Sequence, residues 1–250
     1  MTADPYEHFA PYYDAPTGES PPADPRVAGF FRRLLADHGG TTLLDCACGT
    51  GRFLRLFHSL GLSVAGSDIS PAMLAEARKH LARESLDLPL HQVDYRSLSE
   101  HFDQRFDAVA CLSSSLLHMP DETELERALR SMRAVLNDGG ILVLTQGTSD
   151  RQWREKPRFI LAADSAAYSR VFVIDYAGSG ACYTIVDVVR GSNGAELRSW
   201  TVRYNHIYLQ QDYERMLQTC GFEKIRFYGS YEFDPYDREK SRQLIAVARR

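Results

Sequence analysis

The hydrophobic pattern of the chain switches between helical and strand periods. Val27, Phe30, Phe31, Leu34 and Leu35 recur at helical spacing, so Arg26 to His38 predicts a helix closed by Gly39-Gly40. Thr41 to Cys46 is then a short apolar run with an acid near its end. Gly49-Thr50-Gly51 makes a turn, and Arg52 to Leu60 is amphipathic. Leu62 to Asp68 predicts a second strand, and Ser70-Pro71 supplies an N-cap and a first-turn proline for the next helix. Leu88 to Val93 and Phe106 to Leu112 predict strands three and four. Asp121 to Leu136 predicts a helix stopped by Asn137-Asp138-Gly139-Gly140, and Ile141 to Gln146 a fifth strand. This alternation predicts a parallel, doubly wound α/β sheet.

The period then changes. Arg170–Tyr176, Ala181–Arg190 and Leu197–Leu209 are strand-like, with no helix between them. Ala177-Gly178-Ser179-Gly180 and Gly191-Ser192-Asn193-Gly194 have the composition of hairpin turns. An antiparallel insertion over 148–209 is therefore expected to form a lid. In its last run Trp200, Val202, Tyr204, His206 and Tyr208 share one face by the period-two rule. That face either packs on the body or presents aromatics to a ligand. Gln210 to Thr219 predicts a helix, and Lys224–Gly229 and Gln243–Ala248 a final pair of strands. Residues 1–25 hold six of the eleven prolines, which precludes a helix or central strand there. Tyr6, Phe9, Tyr12 and Tyr13 nevertheless predict that this segment packs against something.

Composition narrows the class. The chain has 250 residues, 29 Lys and Arg against 33 Asp and Glu, and is 44% hydrophobic, as an ordinary globular protein is. A net charge of −4 argues against nonspecific binding to nucleic acid or anionic membrane. The longest run without a charged residue, Ala108 to Pro120, is 13 residues. A membrane-spanning helix needs about 20 apolar residues. With no signal-peptide core, a cytoplasmic location is expected. Five cysteines are sparse, and Cys46-Ala47-Cys48 lacks a second ligand pair, so no metal site is expected.

The glycine turn carries the chemistry. A turn of this kind lets a ligand approach bare backbone, with helix-terminal N–H groups facing it. Phe53-Leu54 stand where a dinucleotide fingerprint wants its third glycine, and Asp45, four residues before Gly49, would repel a pyrophosphate. The same carboxylate suits an ammonium group. Asp68, 17 residues past Gly51, is placed for two ribose hydroxyls. Asp94-Tyr95 offers a carboxylate to an exocyclic amine and a ring to an adenine face. A ligand with ammonium, carboxylate, ribose and adenine is S-adenosylmethionine.

Leu43-Leu44-Asp45-Cys46-Ala47-Cys48-Gly49-Thr50-Gly51 resembles the first motif of class I S-adenosylmethionine-dependent methyltransferases. Gly66-Ser67-Asp68-Ile69-Ser70 and Val93-Asp94-Tyr95 resemble their second and third. The resemblance implies a Rossmann-like seven-stranded methyltransferase sheet over 26–147 and 210–250, with 1–25 as a cap segment. The stretch from Phe106 through Asp121, Arg203-Tyr204-Asn205-His206, and Tyr231 to Tyr236 are similar to glycine/sarcosine and amino-sugar N-methyltransferases. What this implies is S-adenosyl-L-methionine as cofactor, S-adenosyl-L-homocysteine as product, and a small-molecule nitrogen as acceptor. An oxygen acceptor is the alternative, with a noncatalytic binding protein behind it. Nucleic acid and membrane are not expected partners, and a homo-oligomer is left open.

By the same resemblance, Asp45, Ala47, Gly49, Gly51, Asp68, Ile69, Met73, Asp94, Tyr95, Leu112 and His118 should line the cofactor site. Arg26 should hold the methionine carboxylate, and Tyr12 or Tyr13 should cover the sulfonium. His118 is the first candidate for a base and Tyr13 the second catalytic candidate. Arg151, Arg154, Trp200, Tyr204 and His206 are candidates for substrate contact. Glycine N-methyltransferases carry an arginine just after strand five for an amino-acid carboxylate. Here Gly147 stands there, and Arg151 and Arg154 are the nearest arginines.

Overall fold

The computed structural model describes residues 4, 6–15, 24–192 and 194–250. The rest of the 1–25 segment, and Asn193 in the second hairpin turn, lie outside the described residues. The chain runs α1 (Pro25–His38), β1 (Thr42–Asp45), α2 (Arg52–Ser59), β2 (Ser63–Asp68), α3 (Pro71–Arg83), β3 (Leu90–Gln92), α4 (Leu98–His101), β4 (Phe106–Cys111), α5 (Glu122–Ala134) and β5 (Leu136–Gln146). It continues α6 (Asp150–Glu155), β6 (Phe159–Asp164), β7 (Tyr168–Ala177), β8 (Gly180–Gly191), β9 (Gly194–Tyr204), α7 (Gln210–Thr219), β10 (Glu223–Tyr228) and β11 (Leu244–Arg249).

Local chemistry fixes the helix starts. Asp24, Ser70 and Asp121 each accept a backbone N–H of the helix they precede, and Pro25 and Pro71 preset the first turns. Gly39, left-handed at φ 64°, closes α1.

Seven strands form one sheet in the order β10-β11-β5-β4-β1-β2-β3. The inner strands pair parallel, while β11 pairs antiparallel with both β5 and β10. Both faces are covered, so the strands read as continuous apolar runs. Leu44, Val109, Leu142 and Ala246 pack on one side; Leu43, Ala108, Val143 and Ile245 pack on the other against Phe30, Phe31 and Phe57. A second, four-stranded antiparallel sheet, β6-β7-β8-β9, is the insertion.

Three sequence expectations need correction. The helix α5 ends at Ala134, before Asn137 to Gly140, which lie inside β5 instead: the register jumps from Phe106↔Leu136 to Ala108↔Ile141, so these four residues bulge from the ladder. The insertion has a fourth strand, β6, and a short helix, α6, neither anticipated. Finally, β9 ends at Tyr204 instead of Leu209. The chain turns there because Ile207 N–H donates to Ser179 O, back on the β7–β8 hairpin. His206 and Tyr208 therefore leave the strand face that Trp200, Val202 and Tyr204 share. Tyr208 is fully buried under α7 beside Tyr213.

Candidate active site

The C-terminal ends of the parallel strands open into one cavity of about 760 Å³. Strand order reverses between β1 and β4, and ligands of open α/β sheets bind at such a switch point. Asp45 and Ala47 after β1, Asp68 after β2, Asp94 and Tyr95 after β3, Leu112 to Ser115 after β4, and Gly147-Thr148 after β5 all line it. The four-stranded sheet and residues Asp4, Tyr6, Phe9, Tyr13 and Asp14 close the opposite wall.

Most of the expected site residues converge on this cavity. Asp45, Ala47, Gly49, Asp68, Ile69, Met73, Asp94, Tyr95, Leu112, His118, Tyr13 and Tyr204 line it, Ile69 from an exposed rim position. Gly51 does not, and its part is conformational: it starts α2 at φ 79°, and a Cβ there would sit 3.3 Å from Ala77.

Other candidates lie elsewhere. Arg26 is an exposed side chain tied to Asp24, its own helix cap, at 2.7 Å, so it does not face the cavity. Arg52, at the first turn of α2, lines it instead. Tyr12 stacks on Trp200 and under Arg198, outside the cavity. Trp200 donates its indole N–H to His8 O and packs on Phe9, so it holds the cap segment and does not line the cavity. Arg151 pairs with Glu155, and Arg154 lines a separate surface depression beside Trp153. His206 is stacked on Tyr208, away from the cavity.

The acidic half of the cavity is organised by backbone. Asp68 accepts N–H bonds from Gly49 (2.8 Å) and Ser70 (2.9 Å), which ties the glycine turn to the start of α3. Burial raises its carboxyl and these bonds pull it back. Asp45 is less supported. It is 1% exposed, and the Ala47 N–H reaches it at 3.5 Å. Burial therefore pushes its carboxyl up to about 7. Asp94 is raised by burial but lowered on balance, because Arg96 clamps both its oxygens. Tyr95 donates its hydroxyl to Ser115 O and lines the cavity wall.

The other half is aromatic. His118 and the Tyr6 hydroxyl share a 2.8 Å hydrogen bond, and the Tyr204 ring lies 5.1 Å from the imidazole. Burial holds His118 down at about 4, so the imidazole is neutral near pH 7. Burial likewise pushes the Tyr13 hydroxyl up to about 12, with Asp14 adding to it. Tyr183 meets Thr148 at 2.8 Å and accepts from Gln152 at 3.2 Å.

Arg170 fastens the wall together. It holds Asp187 through two 2.7 Å bonds and donates to the carbonyls of Tyr12 and Tyr13. Its guanidinium also lies over the Phe9 ring. Sequence reasoning missed Tyr6, Arg170 and Tyr183, whose placement depends on contacts between segments far apart in the chain, and Arg52, which directly follows the glycine turn. Ser113 and Ser114, both at positive φ, sit where strand four ends, and non-glycine residues so held cluster at functional sites.

A methyltransferase-domain family model matches residues 43–140, the stretch that carries the acidic half. The glycine/sarcosine N-methyltransferase of Parasynechococcus marenigrum (strain WH8102) is 32% identical over 227 residues, covering 82% of this chain and 71% of the relative. The chain belongs to the class I S-adenosylmethionine-dependent methyltransferases. A dTDP-3-amino-3,6-dideoxy-alpha-D-glucopyranose N,N-dimethyltransferase of Streptomyces fradiae is 44% identical to this methyltransferase over 122 residues, 47% of this chain and 45% of that one. In fold, the methyltransferase is similar to an S-adenosylmethionine-dependent methyltransferase from Clostridium acetobutylicum ATCC 824, at a TM-score of 0.79 over 98% of this chain and 99% of that one, with 17% identity. Among the described residues no helix is long and apolar enough to cross a membrane.

Proposed function

We propose that this methyltransferase transfers the methyl group of S-adenosylmethionine to the nitrogen of a small-molecule amine in the cavity described above. The donor set fits that cofactor. Asp45 is a buried carboxyl with one long hydrogen bond, raised to about 7, and a cationic ligand group is what would lower it again. Asp68 would accept from ribose hydroxyls, and Tyr95 with Asp94 would bound the adenine. Arg52, beside Asp14 and Tyr13, would take the carboxylate role that the family resemblance gave to Arg26.

When bound, the cofactor supplies an already activated methyl group on a cationic sulfur. What remains for the chain is to hold the acceptor, aim it and keep water out. Orientation of this kind can contribute roughly 7–11 kcal/mol to lowering a barrier. Tyr13 and the ring of Tyr204 would wall the reacting nitrogen, and His118 with Tyr6 would offer it a neutral hydrogen-bonding pair.

The observation that favours nitrogen over oxygen is the state of His118. A hydroxyl acceptor must give up its proton to a base, and an imidazole held at about 4 is a weak one. A neutral amine attacks with its protons still bound and sheds one afterwards, so once its ammonium form has lost a proton to solvent it needs no base at the moment of transfer. The test is release of S-adenosylhomocysteine with pooled amines against pooled alcohols and phenols. Release with hydroxyl acceptors alone would overturn the nitrogen assignment.

A further inference from the structure

The acceptor half of the cavity carries information about the acceptor's charge. Among the described residues, the basic side chains lining the cavity are Arg52, Arg96, Arg170 and His118. The residues outside the described set include no Lys, Arg or His. Arg52 belongs to the cofactor half, at the glycine turn. Arg96 is committed to Asp94 and Glu124. Arg170 is committed to Asp187 and to the Tyr12 and Tyr13 carbonyls, four short bonds that use the guanidinium. His118 is neutral. Facing these committed groups stand Tyr13, Ile160, Phe172, Tyr183, Ile185 and Tyr204. The polar side-chain atoms there are uncharged: the tyrosine hydroxyls, and Thr148 Oγ1 and Gln152 Nε2, which bond Tyr183.

An anionic substituent buried here would lose its hydration and gain no cation, which is costly. We propose that the acceptor is an amine with an apolar or aromatic body and no carboxylate or phosphate, which sets it apart from amino acids and nucleotide-linked sugars. This rests on the nitrogen-methylation reading given above. The low-polarity walls favour the neutral amine over its ammonium form, so the lone pair is presented without a dedicated base. In the balanced step R–NH2 becomes R–NH2–CH3+, the electron pair of the broken carbon–sulfur bond stays on sulfur, and the excess proton then leaves to water.

Phenethylamine and L-phenylalanine differ by one carboxylate and serve as the probe pair. Each is titrated calorimetrically into the full chain saturated with S-adenosylhomocysteine, with glycine as a third ligand. Phenethylamine is expected to bind at least about tenfold more tightly than phenylalanine or glycine, because an unpaired carboxylate resists burial. In Ala162→Arg, on the exposed edge strand β6 where it lines the cavity, the ratio is expected to fall toward one. Equal or tighter binding of phenylalanine or glycine to the unaltered chain overturns the inference, as does failure of phenethylamine to bind. If S-adenosylhomocysteine binds but the preference is reversed, only the acceptor class is wrong. If S-adenosylhomocysteine does not bind, the nitrogen-methylation reading falls with it.

Discussion

Replacing Asp45 by Asn separates the cost of its buried carboxyl from its use. In the folded protein burial holds this carboxyl at about 7, whereas an unfolded Asp titrates near 3.9. The native state therefore binds more protons than the unfolded state between these values, so Asp45 lowers stability progressively as pH rises from about 4 to about 7. A difference of about 3 pH units corresponds to at most roughly 4 kcal/mol above pH 7. Asn keeps the shape and removes the charge. In the ligand-free protein it is expected to raise Tm at pH 8, by roughly 2–4 °C for each kcal/mol recovered in a chain of this size. The gain should shrink to nothing below about pH 4. The same variant loses the partner for a cationic ligand group, and charge-assisted bonds of this kind are worth about 1.5–3 kcal/mol. Affinity for S-adenosylmethionine should then fall roughly ten- to a hundredfold at pH 8, and its rise between pH 6 and 8 should disappear. Thermal melts and calorimetry at pH 4, 6 and 8 read both effects. A lower Tm at pH 8, or unchanged affinity, refutes the reasoning.

His118→Ala is expected to lower turnover more than cofactor affinity, measured by steady-state kinetics beside calorimetry; equal losses would make His118 a binding residue. Because burial keeps this imidazole at about 4, the pH profile of kcat should show no limb near 6.5 that His118→Ala removes. Arg170→Met leaves Asp187, 1% exposed, without its partner, and should cost about 3–5 kcal/mol in denaturant unfolding. Adding Asp187→Leu should recover most of that stability. The recovered double variant should still bind acceptor poorly, since the carbonyls of Tyr12 and Tyr13 have lost their donor.

What the sequence revealed was set by local chemistry. The acids at the ends of β1, β2 and β3 were legible because each follows an apolar run and must emerge at the same sheet edge. The helix starts were legible because Asp24, Ser70 and Asp121 carry their own capping oxygens. The fourth strand of the insertion was not. Phe159 and Leu161 are exposed on its edge position, so the run lacks the polar-out alternation that marks a strand. Arg26 and Arg52 both stand in the first turn of a helix, but Arg26 is held at the surface beside its capping Asp24, whereas Arg52 lines the cavity. Tyr204 and His206 share a period-two face on paper, but the bond from Ile207 to the β7–β8 hairpin ends the strand between them. The acceptor wall joins residues 6–14 to β7, β8 and β9, pairs separated by well over a hundred positions, and periodicity carries no trace of that contact.

The claim on which the rest depends is that this cavity binds S-adenosylmethionine through its acidic half. Calorimetric titration of S-adenosylmethionine into the wild-type chain and Asp68→Ala, with NAD in parallel, tests it most directly. One site with S-adenosylmethionine, at least about tenfold weaker in Asp68→Ala, and no heat with NAD are expected, since Asp68 holds the glycine turn and, on the proposed reading, would accept from the ribose hydroxyls. Equal affinity in a folded Asp68→Ala protein, or heat with NAD alone, would contradict the account.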